Sequence, residues 1–268
     1  MSFQPVVTAP GLAGWRFLQR TYDSQFEAFN KSPQLQRDSD YFLEKIGTIT
    51  SAADLVKDRR LLGVALGAFG LQDDIDNRYF MQRILEDGSK NDDALANRLS
   101  DDRYQRLSAA FGFGPGELRK TGNADAMQAL VAQNRVQSFE VAVGEQDASM
   151  RIAMYAAREL PMLADKDVSE DARWFTMMGL PPLREMFETA LGLPSSFGQI
   201  DIDKQAEIFR DRTQSVLGND DMAQFSDPEV MERFTNLYLA RAQIADFSAV
   251  QSSGANALQL LSAAQGFY

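Results

Sequence analysis

Apolar residues recur along most of this chain at steps of three and four, which is the period of an α-helix. The first such stretch places on one face Trp15, Leu18, Tyr22, Phe26 and Phe29, and it ends before Ser32-Pro33. No stretch of strand length alternates apolar and polar residues, and no hairpin turn separates two β-branched runs. The pattern therefore predicts an all-α fold, a bundle of several helices.

Capping residues and prolines set the expected helix boundaries. Ser51, three residues before Asp54, predicts a helix start, and Gly144 divides a long periodic stretch into two helices. Pro181-Pro182 is expected in the first turn of a helix that runs through Leu191. Asp227 is expected to cap a last helix, whose buried face would hold Val230, Phe234, Leu237 and Ile244. Both tryptophans, Trp15 and Trp174, are expected in the core. The other residues expected to be buried are Leu61, Leu71, Phe111, Leu183 and Leu191.

Two parts of the chain share a sequence pattern. Four residues of the first part recur at a constant offset in the second. They are Leu61, Ala68, Gly70 and Leu71, which match Leu183, Ala190, Gly192 and Leu193 in that order. After an insertion, Asp74-Ile75-Asp76 matches Asp201-Ile202-Asp203, and Ser100-Asp101 and Ser226-Asp227 then precede further helices. We interpret the pattern as two related helical halves, about residues 54–120 and 169–246, although recurrent capping without common descent would give it too. Either origin predicts left-handed glycines at helix ends and aspartates that cap the following helices.

Three motifs have functional interpretations that their context disfavours. In a calcium-binding loop that starts at Asp201, positions six and twelve would hold Ala206 and Arg212 in place of Gly and Glu. The glycines of FGFGPG, residues 111–116, follow a helical stretch and not a strand, so they predict a helix end and a turn instead of a phosphate site. Glu185 and Glu188 lie one helical turn apart, but no Glu-x-x-His accompanies them, which favours a solvated face.

The composition disfavours several classes of function. The chain has no cysteine and no histidine, so it cannot build a Ser-His-Asp triad, a cysteine nucleophile or a His-ligated zinc site. Its net charge of -11 would repel nucleic acid. We therefore assign no catalytic, cofactor-binding or metal-ligating residue, expect no cofactor, and expect protein partners and no nucleic acid.

The sequence carries no signal for secretion or membrane insertion. Residues 1–14 have no basic start, and Pro5 and Pro10 interrupt their apolar residues, which disfavours a cleavable signal peptide. No apolar run reaches the ~18 residues of a membrane span. We expect a cytoplasmic protein; the alternative is association with the flagellum or export by a route that needs no signal peptide.

Both ends of the chain lack charged side chains. Residues 1–14 and 247–268 contain no Asp, Glu, Lys or Arg, whereas 24% of the whole chain is charged. The expected organisation is an uncharged N-terminal segment, 1–14, an all-α domain, 15–246, and an uncharged C-terminal tail, 247–268. Such ends can pack on their own domain or bind a partner. We expect the ends to carry the function.

The chain also resembles a known family in several long motifs. These are WRFL at 15–18, DRRLLGVALGAFGL at 58–71, DDRYQRLSAAFGFG at 101–114, FEVAVGEQDASMRIA at 139–153 and PPLREMFETALGLPSSFGQIDID at 181–203. They resemble a bacterial family of domains of unknown function whose members often lie among flagellar genes. The resemblance extends from about Trp15 to about Ile244. It implies a structural or assembly role at the flagellum, and it brings no catalytic residues that could be transferred to this chain.

Three classes of function follow. The leading hypothesis is a non-enzymatic flagellum-associated protein with a structural, assembly or regulatory role, whose partners include flagellar components. The second is a cytosolic helical adaptor unrelated to motility. The third is an enzyme that works through carboxylates and arginines around Arg184, Glu185 and Asp201. The sequence leaves the oligomeric state open.

Overall fold

The structure is a computed structural model that describes residues 3–265, with side chains described as far as Ser248. The chain is 75% helical, and residues 3–265 contain no strand, which confirms the predicted all-α class. The α-helices of this part of the chain are α1 Gly11–Asn30, α2 Pro33–Lys45, α3 Ala52–Lys57, α4 Arg59–Ala68, α5 Arg78–Asp87, α6 Arg103–Phe111, α7 Ala124–Gly144, α8 Ala148–Ala164, α9 Glu170–Gly179, α10 Pro181–Leu191, α11 Ile202–Leu217 and α12 Pro228–Gln265.

Four of the predicted helix boundaries are confirmed. Ser51 Oγ accepts a hydrogen bond from the Asp54 backbone N–H at 3.1 Å, at the start of α3. The long periodic stretch divides between α7 and α8 just after Gly144. Asp227 Oδ1 accepts from the Glu229 N–H at 2.8 Å at the start of α12. The glycine-rich segment ends a helix, since Gly112 follows α6 in a left-handed conformation with φ 66°.

The order of elements in the first half recurs in the second. Short 3₁₀ helices at Gln72–Asp74 and Leu95–Arg98 separate α4, α5 and α6, and those at Ser195–Gln199 and Met222–Ser226 separate α10, α11 and α12. A helix directly precedes each series, α3 in the first and α9 in the second. The two series correspond to the two halves inferred from sequence. Their common descent stays a hypothesis.

The ends of α4 and α10 have the same backbone hydrogen bonds. The Leu71 N–H donates to the Leu66 carbonyl at 3.0 Å, and the Leu193 N–H donates to the Glu188 carbonyl at 2.9 Å. Gly70 and Gly192 lie inside these turns with φ values of 69° and 67°. This arrangement is a Schellman motif, which satisfies helix-end carbonyls by placing a glycine in the left-handed region. The predicted conformation of both glycines is confirmed.

The aspartates that follow these glycines differ in role. Asp201 caps α11 as predicted, since its Oδ1 accepts from the Asp203 N–H at 3.0 Å. The equivalent prediction for the first half is wrong, because Asn77 occupies the N-cap position of α5 and its side chain makes no capping bond. Asp74 instead accepts from the Tyr104 hydroxyl at 2.8 Å, and Asp76 pairs with Arg59. Side chains of α4 and α6 therefore bind the two carboxylates that the sequence pattern predicted to cap a helix.

Buried apolar side chains form two clusters, which we call the first and second cores. The first core unites α2 to α6 with the N-terminal part of α7, and the second unites α1, the C-terminal part of α7 and α8 to α12. Met127, Leu130 and Val131 of α7 belong to the first core, whereas Phe139 and Val143 belong to the second. Helix α7 therefore connects the two units.

Most of the predicted core residues are buried. Both tryptophans are in the second core, and the Trp174 indole donates to the Asp220 carbonyl at 3.1 Å. Six residues predicted from the sequence to be buried are all at most 4% exposed: Leu61, Leu71, Phe111, Leu183, Leu191 and Phe234. The prediction for Ile244 is wrong, since its side chain is 65% exposed. The last fully buried core residues of α12 are Tyr238 and Leu239, and Ala242 still packs against the core before the helix continues past it.

The N-terminal segment packs on the protein itself. Val6 N–H donates to Gln25 Oε1 at 2.6 Å, and Val7 N–H donates to Gln146 Oε1 at 3.2 Å. Pro5 is buried, and α1 already begins at Gly11, inside the expected uncharged segment. The backbone of the C-terminal tail continues helix α12 as far as Gln265. The side chains of Leu258, Leu260, Leu261 and Ala264 lie outside the part of the chain whose side chains are described.

Candidate functional site

A chain of ion pairs crosses the boundary between the two cores. Arg158 on α8 donates from Nε and Nη2 to the two carboxylate oxygens of Glu140 on α7, each at 3.2 Å, and from Nη1 to Glu159. Arg106 on α6 donates to Glu159 at 2.8 Å and to Asp102 at 3.1 Å. Because α6 belongs to the first core and α8 to the second, these bonds tie the two units together.

The carboxylates of this network are buried. Glu140 is 3% exposed and Glu159 is 5% exposed. Burial raises the pKa of Glu140, and the charge of Arg158 opposes that shift. The charge of Glu140 holds the pKa of Arg158 above its usual value against the effect of burial. With its amide oriented to satisfy both partners, Gln137 accepts from Arg158 and donates to Glu140. Lys166 also pairs with Asp102 at 3.2 Å, so the network is a structural junction in which three cations face three carboxylates.

Beside this junction lies a cleft of about 500 Å³, which we call the inter-unit cleft. Its walls come from the turn after α4, the start of α6, helices α7 and α8, and the first turn of α10. Polar lining residues include Asp73, Asp74, Arg103, Arg151, Tyr155 and Glu185. Its volume is in the range of small-molecule sites.

Some charged groups of the cleft are already paired within the protein. Arg103 binds both carboxylate oxygens of Asp101 and donates from Nη1 to the Gly70 carbonyl at 2.7 Å. Asp74 accepts from the Tyr104 hydroxyl, and burial followed by this bond raises the pKa of Tyr104. These contacts fix the left-handed turn after α4 against the start of α6.

Other groups of the cleft have no such partner among the described residues. Glu185 and Arg151 make no hydrogen bond or ion pair there, although Glu185 lies one turn from the paired Glu188. The cleft partly desolvates the Glu185 carboxylate, and this desolvation, followed by the charge of Glu188, raises its pKa. The Tyr155 hydroxyl is buried and also lacks a partner. The cleft thus presents a carboxylate, a guanidinium and a hydroxyl that the protein itself leaves unsatisfied.

The residues of the hypothetical carboxylate enzyme have different contacts. Arg184 donates to Glu188 at 2.8 Å and to Gln205 at 2.5 Å, Asp201 caps α11, and only Glu185 lines the inter-unit cleft. No group of three or more carboxylates among the described residues could hold a metal ion. Helices long and apolar enough to cross a membrane are absent from the same part of the chain.

A second candidate site lies on α12 beyond the core. Ile244 and Phe247 are 65% and 64% exposed, and residues three apart lie on the same side of a helix. We call this pair the α12 patch. Asp246 is the last charged residue of the sequence, so the helix continues from the patch into the uncharged tail. Other exposed apolar residues, such as Tyr79 and Leu118, are distant from the tail in sequence.

Sequence reasoning missed the junction and most of the cleft. Glu140, Arg158 and Glu159 occupy helices whose remaining buried residues are mostly apolar, and a charged residue at a buried helical position was the available signal. Arg103 and Arg151 gave no such signal, because only the packing of α6 and α8 brings them to one cleft.

Comparisons with known proteins identify a family. Residues 68–231 match the family described as "Protein of unknown function (DUF1217)", which covers more than half of the chain, so the chain belongs to that family. A solved structure, the X-ray crystal structure of protein AGR_C_984 from Agrobacterium tumefaciens, is similar with 26% identity and a TM-score of 0.69. The similarity covers 88% of this chain and 96% of that one. A comparison with curated proteins gave no match.

Proposed function

We propose that this DUF1217 protein is a non-enzymatic, flagellum-associated protein with a structural, assembly or regulatory role, and that it acts through protein–protein contacts. The α12 patch and the uncharged tail after it supply the contact surface. Because the N-terminal segment packs on α1, we assign the contact to the C-terminal end alone. The sequence alone led us to expect that both ends of the chain bind a partner, whereas the proposed contact involves one end.

The observation that carries the proposal is the exposure of Ile244 and Phe247 on a helix that has left the core. An amphipathic or apolar helix commonly binds by laying its apolar residues into a groove of a partner. Large aromatic side chains such as Phe247 contribute strongly when they enter a partner's pocket. The uncharged sequence after Asp246 favours contact with a protein over a solvated linker.

The flagellar part of the proposal is supported by the resemblance of the motifs between about Trp15 and about Ile244 to a family found among flagellar genes. The family description states no activity, so it is compatible with this role and with the adaptor alternative. The flagellar and the adaptor roles differ in which proteins bind.

Affinity purification of the tagged full-length protein at native expression, followed by mass spectrometry, tests both parts. We expect flagellar components among the bound proteins and their loss in the double variant Ile244→Ser/Phe247→Ser. Fractionation of the same cells would show whether the protein is cytoplasmic or accompanies the flagellum.

The matched controls are Tyr79→Ser and Leu118→Ser, which change exposed apolar residues elsewhere at 78% and 84% exposure. They should retain the partners. A wild-type preparation that captures only proteins unrelated to motility would favour the cytosolic adaptor. Equal capture by the patch variant and the controls would contradict the role of α12.

A further inference from the structure

The inter-unit cleft carries an excess of carboxylates over cations. The turn after α4 contributes Asp73 and Asp74, and α10 contributes Glu185, while the guanidiniums are those of Arg103 and Arg151. Asp101 already neutralises Arg103. The unpaired charges of the cleft are therefore mainly negative. Of the two arginines that line it, Arg151 is the one without a carboxylate partner among the described residues.

This distribution matches a ligand with more positive than negative charge. A cationic group would be favoured near Glu185, because a partly desolvated carboxylate gains from an opposite charge, and the exposed Asp73 carboxylate adds a second negative charge at the same cleft. An anionic group would be favoured near Arg151, whose planar guanidinium suits a carboxylate. A simple metal cation fits less well, since the described residues include no group of carboxylates that could hold one.

A second observation concerns the inside of the cleft. Tyr155 lines it, is only 5% exposed, and its hydroxyl has no hydrogen-bond partner. Buried hydroxyl groups are nearly always hydrogen-bonded, so we expect a partner that the described residues do not supply. A ligand or a water supplies that partner, and Arg106 Nε is likewise buried without a partner among the described residues.

We propose that the inter-unit cleft binds a small molecule of the class of a basic amino acid, with Glu185 and Asp73 facing its side-chain cation, Arg151 its carboxylate, and the Tyr155 hydroxyl hydrogen-bonded to it. The proposal is independent of the α12 patch. Neither the family description nor the similar crystal structure names such a ligand.

Isothermal titration of the full-length protein with three matched probes tests the ligand class. L-Arginine carries both groups, agmatine lacks the carboxylate, and L-citrulline replaces the guanidinium by an uncharged urea. We expect saturable one-to-one binding of L-arginine and affinities weaker by about tenfold or more for the other two, since each loses a charge-assisted contact. Absence of binding by all three, or equal binding, overturns the proposal.

Variants of the cleft test the location. Glu185→Gln and Arg151→Gln should each weaken L-arginine binding about tenfold or more. Glu207→Gln and Arg212→Gln, which change exposed side chains of α11 outside the cleft, should bind as the wild type does. Retained helical circular dichroism excludes unfolding as the cause of a loss. Unchanged affinity in both cleft variants would place the site elsewhere and overturn the proposal.

Tyr155→Phe separates a ligand from a water. If the hydroxyl contacts L-arginine, its removal should weaken binding several-fold. Unchanged affinity would overturn the role of Tyr155 and assign a water as the partner of its hydroxyl.

Discussion

Arg106 Nη1 donates to Glu159 Oε2 at 2.8 Å and so joins a helix of the first core to a helix of the second. Glu159 also accepts from Arg158, which holds Glu140 on the connecting helix α7. Helices α6, α7 and α8 do not all belong to one core, and these mostly buried side chains link them. We therefore expect the orientation of the two units, and with it the inter-unit cleft, to depend on this junction.

The first prediction concerns the central cation of the junction. Replacing Arg158 by methionine should lower the free energy of unfolding by about 3 kcal/mol, because Glu140 and Glu159 stay buried without that partner. Urea denaturation followed by circular dichroism measures the change. Lys31→Met, which removes an exposed ion pair to Glu27, should leave the midpoint almost unchanged. A loss for Arg158→Met as small as that of the control would contradict the structural role of the junction.

The second prediction is the pH dependence of that loss. Burial raises the pKa of Glu140 in the folded protein, and removing Arg158 would raise it further. A carboxyl whose folded pKa exceeds its unfolded value contributes stability at pH values below the unfolded pKa and loses it as pH rises through the folded pKa. The difference in unfolding free energy between wild type and Arg158→Met should therefore shrink as pH falls from about 7 to about 5.

The control for this prediction removes the titrating group. The double variant Arg158→Met/Glu140→Gln should show a stability difference from wild type that depends less on pH. Urea midpoints measured across the same pH range make the comparison. A stability difference for Arg158→Met that stays constant over the range would contradict the assignment to Glu140.

Sequence and structure agree best where one local rule decides the outcome. The helical period gave the fold class, and the glycine and proline positions gave the ends of α4 and α10. Asp74 and Asp76 do not cap a helix as predicted, because their carboxylates bind Tyr104 and Arg59 instead. Ile244 is exposed, contrary to prediction, because α12 extends beyond the core. The cleft could not be predicted, because its residues come from five separate parts of the chain that only tertiary packing brings together.

The third prediction uses the paired Schellman turns. Gly70→Ala and Gly192→Ala should each lower the unfolding free energy by about 1 kcal/mol, because both positions have φ near 68° and an L side chain is strained there. At Gly70 the added methyl would meet no atom closer than 3.4 Å, so the strain is conformational. Urea denaturation of the two variants provides the measurement.

Gly63 is the matched control for these turns. It lies inside α4, and a methyl group there would meet no atom within 4 Å. Gly63→Ala should therefore raise the unfolding free energy by up to ~1 kcal/mol, through the higher helix propensity of alanine. A Gly→Ala substitution should therefore raise the unfolding free energy in the interior of α4 and lower it at the end of the same helix. Stabilisation by Gly70→Ala would show that the turn tolerates other conformations.

The last prediction concerns the packed N-terminal segment. Gln25 is 6% exposed, accepts from the Val6 N–H at 2.6 Å and donates to the Val6 carbonyl at 3.2 Å. Gln25→Leu keeps the side-chain bulk but leaves both backbone groups without their partner, so the Val6 amide should exchange with solvent faster while the amide of Leu18, inside α1, keeps its protection. Hydrogen exchange followed by NMR measures both amides, with Gln19→Leu on the exposed side of α1 as the control. Equal Val6 exchange in the wild type and Gln25→Leu would mean that the segment is held by its other contacts, chiefly those of Gln146 with Pro5 and Val7.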